Sequence, residues 1–223
     1  MAQSGNRSST MTASKTERIS MIGASVAAPP TAVKVAWLLV LSVGVLTLGA
    51  KIQVPLWPVP TTLQTLALCL MACYLGPRMA VGGVLAYMAA GFLGAPVFAG
   101  AVAGPAYLFG PTAGYLMAFI PAVYVASLLC HRTSTHGMGL FSQCVAFLVL
   151  HAVVLAGGTL WLAFAPLEAS PLAAAQATTN HDTPMSLATA FAAGCAPFIV
   201  GSIMKSALAT ALIQAQRWGK DWS

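Results

Sequence analysis

Apolar positions along this chain come in long blocks, and polar positions gather in the connections between them. Six blocks stand out, at about 33–50, 60–75, 79–95, 106–129, 140–165 and 185–215. A helix needs about 20 apolar residues to cross the hydrocarbon core of a bilayer. Six transmembrane helices are therefore predicted, making an all-α, polytopic integral membrane protein. The membrane domain is expected over 32–217. Residues 1–31 are rich in Ser, Thr and Ala, carry Arg7, Lys15, Glu17 and Arg18, and lack apolar periodicity, so they predict a disordered cytoplasmic tail. That tail has no apolar run followed by a small-residue cleavage site, and does not read as a signal peptide. Residues 218–223 are expected to form a short cytoplasmic C-terminus.

Composition agrees with lipid as the solvent. Of the 223 residues 58% are hydrophobic and only 6% charged, and mean hydropathy is +0.83. A water-facing surface needs roughly 25% charged residues. The formal net charge of +6 sits at the chain ends and in short turns, without the aromatic-interleaved basic stripes of single-strand nucleic-acid binders. It orients the chain instead. With the N-terminus inside, Arg7, Lys15, Arg18, Arg78, Arg132, Arg217 and Lys220 fall on the inner side, with Lys34 at the first boundary. Lys51, Glu168 and Asp182 fall outside. This is the positive-inside bias, and it places both termini in the cytoplasm; Lys51 is the exception. Cys69, Cys73, Cys130, Cys144 and Cys195 show no metal or disulfide framework and read as small apolar residues, although Cys69 and Cys73 share a helix face.

Two breaks in the pattern are candidates for function. Pro55, Pro58 and Pro60 cannot continue a helix, so 51–62 is predicted to be a re-entrant or extended connection. Irregular backbone at membrane depth survives only where protein or a cavity covers it, which leaves a binding segment and an ordinary external loop both open. Gly110-Pro111-Thr112-Ala113-Gly114-Tyr115 interrupts the approach to the fourth helix, and Gly100 to Gly104 before it suits a flexible lid. Small residues recur at close spacing (Ala32/Ala36, Gly82/Gly83, Ala86/Ala90, Gly110/Gly114, Gly157/Gly158, Ala207/Ala211), which permits close helix approach. No long internal repeat supports an inverted-repeat transporter.

Among single residues Lys205 comes first, because it lies well inside the last apolar block. A charge at membrane depth is costly and ordinarily faces the interior, paired or functional. No Asp or Glu falls in any predicted span to neutralise it; a ligand carboxylate would, whereas snorkelling to the interface is the alternative. Gln64 opens the second helix with an amide suited to an amide-like or ureido ligand, or to an interhelical hydrogen bond. Tyr115 is placed to cap a pocket with its ring. Trp57, Trp161 and Tyr107 suit either a cavity lining or interface anchoring, and for His151 hydrogen-bonded packing is the favoured reading over a ligand or proton-relay role. The sequence contains no G-x-x-x-x-G-K-[ST], H-E-x-x-H or G-x-S-x-G motif and no acid within a span, which argues against autonomous ATP use, catalysis and proton-driven pumping.

The run KIQVPLWPVPTTLQTLALCLMACYLGPRMAVGGVLAYMAAGFLGAPVFAG followed by FGPTAGYLMAF resembles the BioY proteins, the biotin-specific substrate-binding (S) components of energy-coupling factor (ECF) transporters. The likeness continues through GGTLWLAFA into PFIVGSIMKSALA and covers about 33–213. It implies a six-helix S-component fold in the bacterial cytoplasmic (inner) membrane that captures biotin near the external face and needs no cofactor. Separate ATPase subunits and a membrane-embedded coupling subunit would supply energy, with Ala32 and Ala36 contacting the coupling subunit. Where many BioY proteins read P-G-D-x-x-K, this chain has Val200-Gly201-Ser202-Ile203-Met204-Lys205: the Lys matches, and Ser202 stands in the place of the Asp. Gln64 and Tyr115, read from their own chemistry and position, and Ser202 and Lys205, which the resemblance adds, are the expected ligand-binding residues, with Lys205 on the biotin valerate carboxylate. A solitary transporter without ATPase partners, an S component for another small vitamin, an intramembrane enzyme and a structural membrane protein are the alternative readings.

Overall fold

The computed structural model describes residues 31–55, 61–100, 103–132, 139–164 and 186–221. The predicted tail up to residue 30, Trp57 and the connection carrying Glu168 and Asp182 lie outside the described residues. Within them the chain forms helix α1 (Thr31–Lys51), a two-stranded hairpin of β1 (Gln53–Val54) and β2 (Thr61–Thr62), α2 (Gln64–Tyr74) and α3 (Gly76–Phe92). A 3₁₀ turn (Pro105–Phe109) leads into α4 (Ala113–Arg132) and α5 (Leu140–Phe164), and the last segment consists of α6 (Leu187–Gly194), a 3₁₀ turn (Ala196–Phe198) and α7 (Ile199–Asp221). Counting α6 and α7 as one bent segment gives the six helical segments that the apolar blocks predict.

The helix boundaries shift by several residues from the predicted blocks, and two of the differences have a clear local reason. The second helix starts at Gln64 rather than near 60, because Thr61 and Thr62 are committed to antiparallel pairing, in register with Val54 and Gln53. The proline-rich connection is thus flanked by extended backbone, one of the two forms expected for it. The last helix is broken where Pro197 sits in the 3₁₀ turn, since proline lacks the N–H that an unbroken helix would use. Ser186 caps the short α6 by accepting the Thr189 backbone N–H at 3.2 Å. Among the described residues four helical segments are long and apolar enough to cross a membrane, Thr31–Lys51, Ala113–Arg132, Leu140–Phe164 and Leu187–Arg217. The 11 residues of α2 and 17 of α3 reach only about 16 and 25 Å at 1.5 Å per residue.

Burial follows helical periodicity. On α5 the covered face is Gln143, Ala146, Phe147, Leu150, His151, Val154 and Gly158; on α7 it is Ser202, Lys205, Ser206, Ala209, Thr210 and Ile213. The opposite face of α7 exposes Ile203, Met204, Leu208 and Leu212, so apolar residues point outward as well as inward, as lipid contact requires. The most extensive helix pairing is between α4 and α5. It depends on glycine: a Cβ at Gly114 would lie 2.1 Å from the Trp161 Cβ, and one at Gly157 would lie 2.5 Å from the Ala118 Cβ. At the end of the bundle away from the hairpin, Gln214 donates to Gln143 at 2.8 Å and Tyr74 donates to Gln216. Cys73 lies 2.9 Å from Cys130 across α2 and α4 rather than against Cys69, and all five cysteines are free. Lys51, the exception to the expected charge bias, closes the last turn of α1 and donates to the Gly100 carbonyl at 2.8 Å.

Candidate functional site

A cavity of about 320 Å³ opens among β2, the N-terminal turns of α2 and α4, the C-terminal half of α5, and the α6–α7 bend. Every element contributes from the same end. Its volume is at the lower end of the roughly 300–1,000 Å³ of small-molecule sites, which suits a compact ligand. Gln64, Tyr115, Ser202 and Lys205 all line it, so the four residues singled out in sequence converge although they come from α2, α4 and α7.

Lys205 lies six residues into α7 and is 8% exposed. Its Nζ donates to Thr61 Oγ1 at 2.8 Å, to the Thr62 carbonyl at 2.9 Å and to Thr65 Oγ1 at 3.2 Å. An ammonium has three N–H donors, and the hairpin and first turn of α2 supply an acceptor for each. These acceptors hydrogen-bond the charge without neutralising it. Snorkelling does not describe this lysine, because its head is turned inward. Thr61, Thr62 and Thr65 were not picked out in sequence; their signal is the T-T-x-x-T spacing around Gln64.

Gln64 is held from behind. Its Nε2 donates to the Tyr87 hydroxyl at 2.9 Å, and that hydroxyl donates to the Val97 carbonyl at 3.0 Å. The Tyr87 ring meets Phe98 edge-on at 5.5 Å, and Phe98 stacks on Tyr107 at 4.5 Å. Phe98 can sit there because Gly91 has no Cβ; one would lie 2.1 Å from the ring. Tyr107 in turn lines the cavity, one of the two roles open to it in sequence. Trp161 does not; its Nε1 donates to the Gly110 carbonyl at 3.0 Å and holds the approach to α4. The expected lid falls partly on residues 101–102, outside the described residues, and its flank is tied by the Gly104 N–H to the Gly91 carbonyl at 3.0 Å.

Tyr115 packs its ring flat on Gly158, where a Cβ would lie 2.1 Å from it, and donates to the Gly194 carbonyl at 2.6 Å. It therefore ties α4, α5 and the end of α6 at one point on the cavity wall. Ser202 precedes Lys205 by one turn of α7 on the same wall. His151, placed by the sequence in packing, also lines the cavity. Ala32 and Ala36 are exposed on the first turns of α1. Among the described residues no group of three His, Cys, Asp or Glu side chains could hold a metal. The site offers one cation, hydroxyls, an oriented amide and aromatic walls, which fits a small carboxylate that also carries hydrogen-bonding ring atoms.

Residues 24–220 match the BioY family. The chain is 34% identical to the biotin transporter BioY2 of Lactococcus lactis subsp. cremoris, over 80% of this chain and 89% of the relative. It is 35% identical to the probable biotin transporter BioY of Pyrococcus horikoshii, over 81% and 93% respectively. Its fold matches the crystal structure of the S-component for biotin from an ECF-type ABC transporter, with a TM-score of 0.65 and 22% identity, covering 85% of this chain and 94% of that one.

Proposed function

The chain belongs to the BioY family, and from that premise we propose that it captures biotin and takes it across the bacterial cytoplasmic membrane as the substrate-binding subunit of an ECF-type transporter. It acts as a transport component rather than an enzyme. The observation that carries the reading is the buried ammonium of Lys205 in the wall of a vitamin-sized cavity. Biotin brings a carboxylate for that ammonium, and Gln64 and Ser202 supply polar contacts for its bicyclic head. Tyr115 and Tyr107 flank the ring system. A charge-assisted hydrogen bond is worth roughly 1.5–3 kcal/mol, or about 10- to 150-fold in affinity.

The domain plan follows: a cytoplasmic tail over 1–31, a membrane domain over 32–217 and a short cytoplasmic end over 218–223. The cavity then opens outward, since it is built from the helix ends on the side of Lys51. A coupling membrane subunit is expected against the N-terminal turns of α1, with Ala32 and Ala36 in contact, and ATPase subunits drive the cycle from inside. The test is equilibrium binding of radiolabelled biotin to protein purified in detergent without added vitamin. Saturable binding that falls at least about tenfold in Lys205→Ala is expected. A competing vitamin that displaces biotin at lower concentration, or an unchanged affinity in the variant, would overturn the ligand or the role of Lys205.

A further inference from the structure

We infer that Tyr87 is a positioning residue that fixes the polarity of the Gln64 amide, so that the cavity presents an acceptor there and selects a ligand head that offers an N–H. The inference rests on the biotin reading above and adds to it which way that amide faces. Tyr87 is wholly buried and is not among the residues lining the cavity, so it acts on a ligand through its neighbours. The direction follows from counting hydrogens. The Val97 carbonyl can only accept, so the Tyr87 hydroxyl, 3.0 Å away, gives it its single hydrogen. That hydroxyl keeps only lone pairs for the Gln64 amide 2.9 Å from it, and the amide must turn its NH₂ that way rather than its oxygen. The opposite placement would set two acceptors against each other, so the hydrogen-bond network itself distinguishes the amide nitrogen from its oxygen.

The amide oxygen is therefore directed away from Tyr87. No described residue donates to it, and it is not sealed off as the unpaired His151 Nε2 and Thr159 Oγ1 are. Gln64 is 6% exposed and lines the cavity, so the surface left to its oxygen is open to a molecule bound there. The clamp behind it has little room to move. The Tyr87 ring is pinned edge-on to Phe98, and Phe98 fills the space that Gly91 leaves. A cyclic urea carries two N–H donors beside one carbonyl, and a donor of that kind is what the Gln64 oxygen takes. Replacing one ureido N–H by a ring oxygen keeps the shape and turns the donor into an acceptor, which the same oxygen would repel.

The experiment compares biotin with its two cyclic-carbamate analogues, in which a ring oxygen replaces one or the other ureido N–H. Equilibrium binding is measured to wild type, Tyr87→Phe and Gln64→Met, in detergent and in isolated membranes, so that a variant too weak for extraction is still read. Wild type is expected to favour biotin over one carbamate by at least about tenfold. In Tyr87→Phe the amide is free to turn its NH₂ to the cavity, and the ratio of the two affinities is expected to fall close to one. A purely structural loss would lower both affinities and leave the ratio unchanged. Gln64→Met keeps the length of the side chain without its amide and is expected to lose the preference as well. Equal affinity of wild type for biotin and both carbamates would overturn the inference without reference to any variant. So would a Tyr87→Phe protein that keeps the full ratio. Wild type that binds no biotin at all would instead overturn the proposed function.

Discussion

Lys205 and Gln64 reach the same cavity by opposite routes. A lysine within an apolar block is conspicuous in sequence because its cost in lipid demands an explanation, and the structure answers with three acceptors from one short segment. Those acceptors were not legible, since threonines are common in membrane helices and only the pairing of β1 with β2 turns Thr61 and Thr62 toward α7. Gln64 was legible by its place at a helix start, but not its support, which requires α3 and the segment around Val97 to close on it. Tyr87 is wholly buried and its hydroxyl joins Gln64 to Val97. Tyr87→Phe keeps the ring against Phe98 and removes that junction, leaving a buried donor and a buried acceptor unpaired. We expect a loss of about 1–3 kcal/mol, seen as a lower unfolding temperature in detergent, together with weaker biotin binding.

At the scale of elements, the apolar blocks located all six helical segments because hydropathy sums over many residues and tolerates local noise. Boundaries were less secure, since they depend on one or two residues. Thr61–Thr62 joins a hairpin by pairing with residues seven and nine positions away, and Pro197 bends a segment whose hydropathy is continuous across the bend. The α4–α5 contact was visible only as the pairs Gly110/Gly114 and Gly157/Gly158, and its consequence for the site was not. Gly158 is the surface on which the Tyr115 ring lies, so Gly158→Ala must push the ring away and strain its hydrogen bond to Gly194. Overpacking of this kind costs about 1–3 kcal/mol, and biotin affinity is expected to fall with stability. Gly44→Ala is the control: nothing lies within 4 Å of its added methyl, and alanine is the better helix former by about 1 kcal/mol at most. Parallel thermal denaturation and binding of the two variants separates a site effect from a general glycine effect.

At the scale of the whole molecule, all the cavity-forming elements meet at one end of the helices, whereas Arg78, Arg132 and Arg217 sit at the other end of theirs. Reporter domains fused to the N- and C-termini are both expected to be active only as cytoplasmic reporters. A fusion after residue 164 is expected to report from the outside; the reverse pattern would refute the orientation. Separating the cavity from the arginine-bearing end raises a problem that capture alone does not. A carrier must let its cargo go as readily as it took it. A bare ammonium left behind in lipid would make departure as costly as arrival was favourable. Thr61, Thr62 and Thr65 remove that asymmetry, because they imitate the cargo's oxygens from within the chain. On the proposed role of Lys205, the lysine would pass from one set of oxygens to the other, so that reversal of the cycle would not strand its charge.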